Sequence, residues 1–558
     1  MAAKLLALII LMISLSSYVT SATTSELEIN TNDGWIRGTI MKSNNSRDIR
    51  GFLGIPYAHP PIGNFRFKPP QDVTPWSKRN TIYDATKDAP MCTQVDILSG
   101  QEKATGQEDC LYLNVFTPSL TDKKLKLPVM VYFHGGGFVT GSSNSFFYGP
   151  KYFLDHDVVL VTANYRLGAL GFLSTGDLSS PGNMGLKDQN KVLKWISNNI
   201  HKFNGNENSV TIFGQSAGGA SVNYHMISPL SQGLFHRAIS QSGTAFAPWA
   251  FMKTKHAVKN YQTLASHFNC TSINTIDTVN CLKTKKATEI IEADKIYRIW
   301  DFDPPVPFRP VIEQNHEGAF ITDEPRNLNS SRVRWLIGSV ADEGCIKTSA
   351  LFGRSDSRYK ELNTKWNDIA QHTLFYDDLF NEKSRVNVTS RIRKFYFDNK
   401  PIDSTTLLNV TNLYSDVWFN NGNRQAIRDL LRKNIIFQYR FAYKGSSSLS
   451  SIFAVGDQTD YGICHCDDLL YLFPIRDIGY FKKSSLDNEM VNVMTKFWVN
   501  FATYGNPTPN LTQEIPVEWQ PVSTDALEYF LIEGPRNFSM SKNLDYERSK
   551  FWQTILKN

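Results

Sequence analysis

The feature that most limits the folds open to this chain is a short apolar run that leads directly into a serine between two glycines. Residues 210–213 (VTIF) are typical of a buried strand, and they continue into 214–218 (GQSAG) and two further small residues that suit the start of a helix. The glycines would let the backbone turn sharply between strand and helix, which lifts the Ser216 hydroxyl out at the strand end. Glycine and serine are common, so the bare motif also fits a structural turn. The strand before it and the helix start after it favour a nucleophile.

The segments on either side of this motif alternate between strand and helix patterns. Residues 128–133 (PVMVYF) and 158–162 (VVLVT) are almost continuously apolar, as strands buried on both faces are, and 185–200 has helical spacing of its apolar residues. This alternation predicts an α/β fold in which helices flank a large, mostly parallel central sheet. No repeat, low-complexity tract or linker divides the chain, so we expect residues 23–558 to form one domain.

A glycine run follows another predicted strand. Residues 134–138 (HGGGF) come directly after 129–133, and consecutive glycines leave backbone N–H groups unencumbered. We expect Gly136 and Gly137, together with the N–H of Ala217, to form an oxyanion hole beside the serine. The alternative is a flexible loop.

A serine nucleophile also needs a base and an acid that orients it. Among eleven histidines, His465 is preferred, because a small and polar stretch leads from it into an apolar segment and because this type of site has its histidine last in the chain. Asp342 and Glu343 both follow the predicted strand 335–340 (WLIGSV). The pattern alone leaves both carboxylates open.

Several stretches together identify a family resemblance. The chain resembles the type-B carboxylesterases, which include cholinesterases and insect esterases, over almost its full length. The matching stretches are 52–57 (FLGIPY), 66–67 (RF), 108–115 (EDCLYLNV), 134–138 (HGGGF), 164–166 (NYR), 181–189 (PGNMGLKDQ), 214–218 (GQSAG) and 241–243 (QSG).

The resemblance implies the α/β-hydrolase fold and hydrolysis of a small carboxylic ester by a serine enzyme that needs no metal or cofactor. The family's acid stands in a D-E-G stretch, which implies Glu343, and its base stands in G-x-x-H, which implies His465. It also implies two buried ion pairs, Arg66–Glu108 and Arg166–Asp188.

Departures from the family pattern bear on the substrate. The loop 92–110 lacks the aromatic residue that binds choline in cholinesterases, which argues against choline esters. Trp249 resembles the family's acyl-pocket tryptophan and would favour short acyl chains; the alternative is a core tryptophan. Gln215 stands where most relatives have glutamate, which favours neutral esters.

The GQSAG form resembles insect juvenile hormone esterases, so hydrolysis of that hormone's methyl ester is an alternative function. The hormone carries its long chain on the acid side, where Trp249 would crowd it. A second alternative is a non-catalytic, cholinesterase-like adhesion protein, but such relatives usually lose the serine or the histidine, and this chain keeps both. A lipase is a nearer alternative, and it would differ from an esterase by acting on aggregated lipid.

The N-terminus predicts export. Lys4 precedes the apolar run 5–15 (LLALIILMISL), which is shorter than the roughly 20 residues of a membrane span. We therefore interpret residues 1–22 as a cleaved signal peptide rather than an anchor, and the protein as secreted. Seven N-glycosylation sequons agree with a secreted glycoprotein: Asn44, Asn269, Asn329, Asn387, Asn409, Asn510 and Asn537.

Seven cysteines fit an oxidising compartment. Two close couples predict local disulfides, as the family also has them: Cys92 with Cys110 and Cys270 with Cys281. For the three remaining residues, Cys345, Cys464 and Cys466, we favour free buried thiols. A disulfide from Cys345 to one of the others is the alternative, and a zinc site does not suit the C-H-C spacing.

The charge of the chain argues against nucleic acid as a partner. A formal net charge of +6 over 558 residues is mild, and the basic runs are short. Nucleic-acid binding would require a concentrated basic stripe.

Overall fold

The computed structural model describes residues 27–76, 81–96, 100–120, 124–303, 305–457, 459–477, 482 and 484–556. The predicted signal peptide, residues 1–22, lies outside the described residues. The described strands are β1 (Glu28–Thr31), β2 (Gly34–Arg37), β3 (Thr39–Lys42), β4 (Asp48–Pro56), β5 (Tyr83–Asp84), β6 (Tyr112–Pro118), β7 (Leu127–Phe133), β8 (Val159–Ala163), β9 (Gly205–Gln215), β10 (Arg237–Gln241), β11 (Arg334–Val340), β12 (Ile436–Phe441), β13 (Tyr529–Gly534) and β14 (Asn537–Ser541).

The α-helices of the described residues lie between and around these strands. They are α1 (Ser145–Tyr148), α2 (Gly168–Phe172), α3 (Met184–Asn199), α4 (Ala217–Ile227), α5 (Thr254–His267), α6 (Thr275–Lys283), α7 (Ala287–Glu292), α8 (Cys345–Gly353), α9 (Asp356–Thr364), α10 (Trp366–Thr373), α11 (Glu382–Phe397), α12 (Leu407–Ser415), α13 (Asn421–Leu430), α14 (Ser450–Phe453), α15 (Ser485–Tyr504) and α16 (Tyr546–Leu556). None of them combines the length and the apolar character that crossing a lipid bilayer requires.

Eleven of the described strands form one sheet in the order β14-β13-β12-β11-β10-β9-β7-β8-β6-β4-β3. The strands from β8 through β7, β9, β10, β11 and β12 to β13 run parallel, and antiparallel strands flank them at both edges. The predicted α/β fold with a large, mostly parallel sheet is confirmed. The two apolar runs became β7 and β8, whose interior residues are buried on both faces.

The parallel order determines where a site can form. Side chains that follow parallel strands gather at the edge where those strands end, which is where ligands bind in open α/β sheets. The glycine run follows β7, Ser216 follows β9 and Glu343 follows β11. These three segments therefore meet at one edge, although the longest interval between them exceeds a hundred residues of chain.

Two ion pairs, one buried and one partly buried, join separate segments of the chain. Arg166 donates to both carboxylate oxygens of Asp188, at 2.8 and 2.6 Å, and Asp188 is fully buried. Arg66 makes the same bidentate contact with Glu108, at 2.6 and 2.5 Å. Both pairs that the resemblance implied are present, and each fixes a loop to a separate part of the chain.

Removing one partner of the deeper pair should destabilise the protein. Asp188→Ala leaves the Arg166 guanidinium buried without its counter-charge, so we expect a loss of about 3–5 kcal/mol in the free energy of unfolding. Thermal unfolding of the purified variant measures it. Lys42→Ala, which removes the exposed Lys42–Asp48 pair, serves as the control and should change stability by less than about 1 kcal/mol. Equal losses in both variants would contradict the argument.

The structure contains three disulfides among the described residues. Cys92–Cys110 and Cys270–Cys281 are the two local bridges that the sequence predicts. The third joins Cys345 to Cys464, while Cys466 remains a free thiol. The interpretation of Cys345 and Cys464 as free thiols is therefore wrong. These residues are 119 positions apart, and only the meeting of two distant loops brings them into contact.

Candidate active site

The turn that carries Ser216 depends on close backbone contacts. Ser216 has φ +58° and ψ −121°, between the last residue of β9 and the first of α4. A Cβ atom on Gly214 or Gly218 would lie 2.6 or 1.9 Å from the carbonyl oxygen of Phe133. Only glycine fits at these two positions, so the turn packs against the end of β7. The Ser216 side chain is 9% exposed and lines a cavity.

The glycine run after β7 passes directly beside this serine. A Cβ atom on Gly135 would lie 3.1 Å from Cβ of Ser216. Gly136 and Gly137 have φ +99° and +61° and line the same cavity. Among the described residues, no hydrogen-bond acceptor binds the N–H groups of Gly136, Gly137 or Ala217. These donors are therefore free to bind an oxyanion, and Ala217 adds the positive end of the α4 dipole.

His134 holds the glycine run in place as a neutral residue. Its ring stacks on Tyr165 at 4.3 Å between centroids, and its Nδ1–H donates to the carbonyl of Gly135 at 2.8 Å. Burial lowers the pKa of His134 to about 4. The ring therefore stays uncharged at neutral pH, which suits its apolar surroundings.

A short hydrogen bond joins the predicted base and acid. Nδ1 of His465 lies 2.5 Å from Oε2 of Glu343, and both side chains are almost completely buried. The other oxygen, Oε1, accepts from the backbone N–H of Val340 at 2.9 Å. Because the carboxylate can only accept, Nδ1 carries the proton and Nε2 is left as an acceptor. Phe419 packs against the ring at 4.4 Å between centroids.

The carboxylate that the sequence left as an equal candidate points elsewhere. Asp342 Oδ2 accepts from the backbone N–H of Ile463 at 2.9 Å. Asp342 therefore fixes the loop that precedes His465, while Glu343 contacts the imidazole itself.

Gln215 makes a contact that sequence reasoning missed. Its side-chain amide lies 3.1 Å from Nε2 of His465, and with the proton on Nδ1 the amide donates to Nε2. Among the described residues, neither Ser216 Oγ nor any other hydroxyl takes that position. To act as a base toward Ser216, Nε2 would have to exchange the Gln215 amide for the Ser216 hydroxyl. The motif shows which residue precedes the serine but gives no sign of where that side chain points.

Ser216 lines a cavity that opens to solvent. Trp249 lines it, is 4% exposed and donates from Nε1 to the carbonyl of Trp418 at 2.7 Å. Most of the remaining lining is apolar: Val139, Phe302, Pro305, Val306, Ile346, Ala350, Trp418, Phe419 and Phe453. One wall carries the ion pair of Lys347 with Asp303. Sequence reasoning also missed this pair, because it joins the helix α8 to a distant loop and neither segment carries a motif.

Two buried carboxyls next to His465 should make stability depend on pH. Burial raises the pKa of Asp467 to about 7 and that of Asp468 to about 6, from an ordinary value of 3.8. Between 3.8 and these values the folded protein holds protons that the unfolded chain has lost. Their contribution to stability is therefore complete below pH 3.8 and is lost as the pH rises through about 6 and then about 7.

The variant Asp468→Asn tests this dependence. Asp468 Oδ2 accepts from Gln241 at 2.8 Å and from Tyr439 at 3.0 Å, and an amide oxygen can accept both bonds. We expect the melting temperature of the variant to fall less between pH 5 and pH 7 than that of the wild type. Parallel curves for the two proteins would contradict the assignment of that slope to Asp468.

Comparisons with known proteins find similar sequences and a similar structure. Residues 25–552 match the Carboxylesterase family. The chain is 38% identical to a carboxylic ester hydrolase of Bombus ignitus, with 94% of each chain covered, and 37% identical to a juvenile hormone esterase of Tribolium castaneum, with 97% of this chain and 96% of that protein covered. Its structure is similar to that of juvenile hormone esterase from Manduca sexta with OTFP covalently attached, at a TM-score of 0.83 and 27% identity, over 95% of this chain and 100% of that one.

Proposed function

Because this chain belongs to the carboxylesterase family and is a carboxylic ester hydrolase, we propose that it is a secreted serine esterase that cleaves small neutral esters through an acyl-enzyme. The observation that carries the proposal is the 2.5 Å hydrogen bond between His465 and Glu343 at a cavity that Ser216 also lines. The bond orients Nε2 as a proton acceptor beside the serine.

The reaction would take two acyl transfers. His465 Nε2 removes the proton of Ser216 as Oγ attacks the ester carbonyl, and the N–H groups of Gly136, Gly137 and Ala217 bind the negative oxygen of the tetrahedral intermediate. The imidazolium, stabilised by Glu343, then gives its proton to the departing alcohol. Water repeats the attack on the acyl-enzyme, which releases the acid and restores Ser216.

A covalent label tests this proposal most directly. A phosphonofluoridate should inactivate the enzyme in a 1:1 ratio, and mass spectrometry of the digested protein should find the phosphonyl group on the peptide that contains Ser216. If the enzyme loses activity but the phosphonyl group is found on a different peptide, the proposal is overturned. A folded protein that takes up no label would also overturn it.

The lining of the cavity supports neutral esters with short acyl chains. Gln215 places an uncharged amide beside the serine, the walls are largely apolar, and the bulky Trp249 side chain lines the same cavity as Ser216. We expect nitrophenyl acetate and butyrate to have higher kcat/KM than the octanoate and decanoate.

The variant Trp249→Ala tests the role of the indole. It should raise kcat/KM for octanoate relative to acetate by roughly tenfold. Opening space for a few methylene groups in an apolar pocket changes the preference between acyl chain lengths by about that factor. An unchanged chain-length profile would identify Trp249 as a packing residue only.

Juvenile hormone is a second candidate substrate. Gln215 and the similarity to two juvenile hormone esterases favour it. The methyl group is the alcohol part of this ester, so the long chain of the acid would have to pass Trp249. Turnover of the hormone faster than of nitrophenyl acetate, at equal concentrations, would support this substrate, and no measurable hydrolysis would remove it.

Several surface features support secretion. Six of the seven predicted glycosylation sites are exposed, and three disulfides suit an oxidising compartment. The seventh, Asn409, is half-buried, and its Nδ2 donates to the carbonyl of Tyr396 at 2.7 Å. We therefore propose glycosylation at Asn44, Asn269, Asn329, Asn387, Asn510 and Asn537 rather than at Asn409. Glycopeptide mapping of protein from the medium of insect cells, with N-terminal sequencing, tests both the sites and cleavage after residues 1–22.

A further inference from the structure

The third disulfide joins the two segments that carry the acid and the base. Cys345 follows Glu343 by two residues, and Cys464 directly precedes His465. Both cysteines are fully buried. The bridge therefore spans the same gap as the Glu343–His465 hydrogen bond, and it does so one or two residues away.

The two segments also meet through their backbones. The N–H of Asp342 donates to the carbonyl of Ile463 at 2.9 Å, and the N–H of Ile463 donates to Oδ2 of Asp342 at 2.9 Å. Gly462, with φ +89°, lets this approach happen, since a Cβ atom there would lie 2.5 Å from Asp342 Oδ2. This backbone pairing does not extend along the chain, however, because Asp342 and Cys464 form one isolated β-bridge and not part of a strand.

The free nitrogen of the base has to change its partner during turnover while the contact of the other nitrogen with the acid persists. In this structure Nε2 of His465 contacts the Gln215 amide, so either that amide or the ring must move before Nε2 can accept the Ser216 proton. Nδ1 has to stay on Glu343 throughout, because that bond determines which nitrogen is free to accept. One isolated backbone bridge restrains the segment of His465 only weakly. The Cys345–Cys464 bond beside it prevents that segment from moving far from Glu343.

From this arrangement we infer that the Cys345–Cys464 disulfide is a positioning element for catalysis, which holds His465 in register with Glu343. The inference rests on the proposed function of that pair. Cys345 is also the first residue of α8, which lines the cavity through Ile346, Lys347 and Ala350. The bridge thus fixes the base relative to both its acid and one wall of the substrate cavity.

One of the other two disulfides offers a contrast. Cys270–Cys281 links the segment after α5 to the last turns of α6, 11 positions further along the chain, and neither cysteine lines the cavity. Its removal should affect stability and leave the register of His465 unchanged. It is the matched control for a role that goes beyond stability.

The experiment compares two double variants with the wild type. In Cys345→Ala with Cys464→Ala we expect kcat to fall by about 10²-fold, the order that a displacement of about 1 Å in a catalytic group produces, with a smaller change in KM. In Cys270→Ala with Cys281→Ala we expect kcat within about twofold of wild type, although the melting temperature falls. A second bridge variant, Cys345→Val with Cys464→Ala, fills the buried space and should behave like the first.

A spectroscopic readout separates positioning from general stability. The proton that His465 Nδ1 shares with Glu343 should give a proton resonance far downfield of the amides in the wild type and in the control. We expect it to broaden or move upfield in the bridge variants. A merely structural bridge would leave this resonance unchanged in folded protein.

Each outcome bears on one hypothesis. If the wild type is labelled at Ser216 and active, but the bridge variants keep its kcat and its downfield resonance, the positioning role is overturned while the proposed function stands. Failure of both bridge variants to fold would also overturn it, since the bond would then be required for folding instead. A wild type that is folded but neither active nor labelled would overturn the proposed function itself.

Discussion

Replacing Ser216 with alanine should lower kcat for nitrophenyl acetate by at least about 10³-fold. The variant keeps the backbone turn, the cavity and the Glu343–His465 hydrogen bond, and it removes the hydroxyl oxygen that we propose as the nucleophile. Residual activity would come from the oxyanion donors and from substrate binding alone. Steady-state rates with a saturating ester, together with loss of phosphonate labelling, measure the effect.

A neighbouring serine provides the matched control. Ser242 also has a positive φ, +53°, and its Oγ is buried with no hydrogen-bond partner among the described residues. Ser242→Ala therefore removes the same atom from a similar backbone near the site without breaking a bond, and kcat should stay within about threefold of wild type. Equal losses in the two variants would mean that the effect of Ser216→Ala is structural, and activity retained in Ser216→Ala would refute the nucleophile.

The fold could be predicted from the sequence because the central strands and helices each have a recognisable pattern of apolar residues. β7 and β8 are apolar on both faces, and the helix α3 shows its period within one segment, so each could be predicted within one or two residues. The serine turn was accessible for a similar reason, since its glycines are required by contacts shorter than 3 Å with Phe133. The positions that require glycine lie close together in the chain, so the requirement appears as a short sequence motif.

The cavity wall and the third disulfide had no such pattern. Asp303 and Lys347 meet from separate segments, and Cys345 meets Cys464 over 119 residues. Burial and pairing at these positions depend on how the loops after parallel strands pack, which no spacing in the sequence records. The prediction of free thiols is therefore wrong for Cys345 and Cys464, while Cys466 is a free thiol in the structure.

Replacing Glu343 with glutamine should lower kcat by about 10⁴-fold, because the amide would put the imidazole proton on the wrong nitrogen. The N–H of Val340 donates to Oε1 of Glu343, so the amide oxygen of glutamine should occupy that position and its NH₂ should face Nδ1 of His465. Nδ1 would then have to accept, and Nε2 would carry the proton. In that tautomer Nε2 can no longer take a proton from Ser216. Steady-state kinetics of the folded variant give the loss in kcat.

The adjacent carboxylate of Asp342 provides a control for this prediction, since the sequence alone left both Asp342 and Glu343 as candidates for the acid. Asp342→Asn makes the same chemical change one residue away, but the side chain of Asp342 contacts Ile463 and an amide oxygen can still accept that bond. We expect kcat of this variant to fall by less than about tenfold, since no proton on His465 is redistributed. A greater loss in Asp342→Asn than in Glu343→Gln would reassign the acid. A loss confined to Glu343→Gln would show that the tautomer of His465 limits the rate.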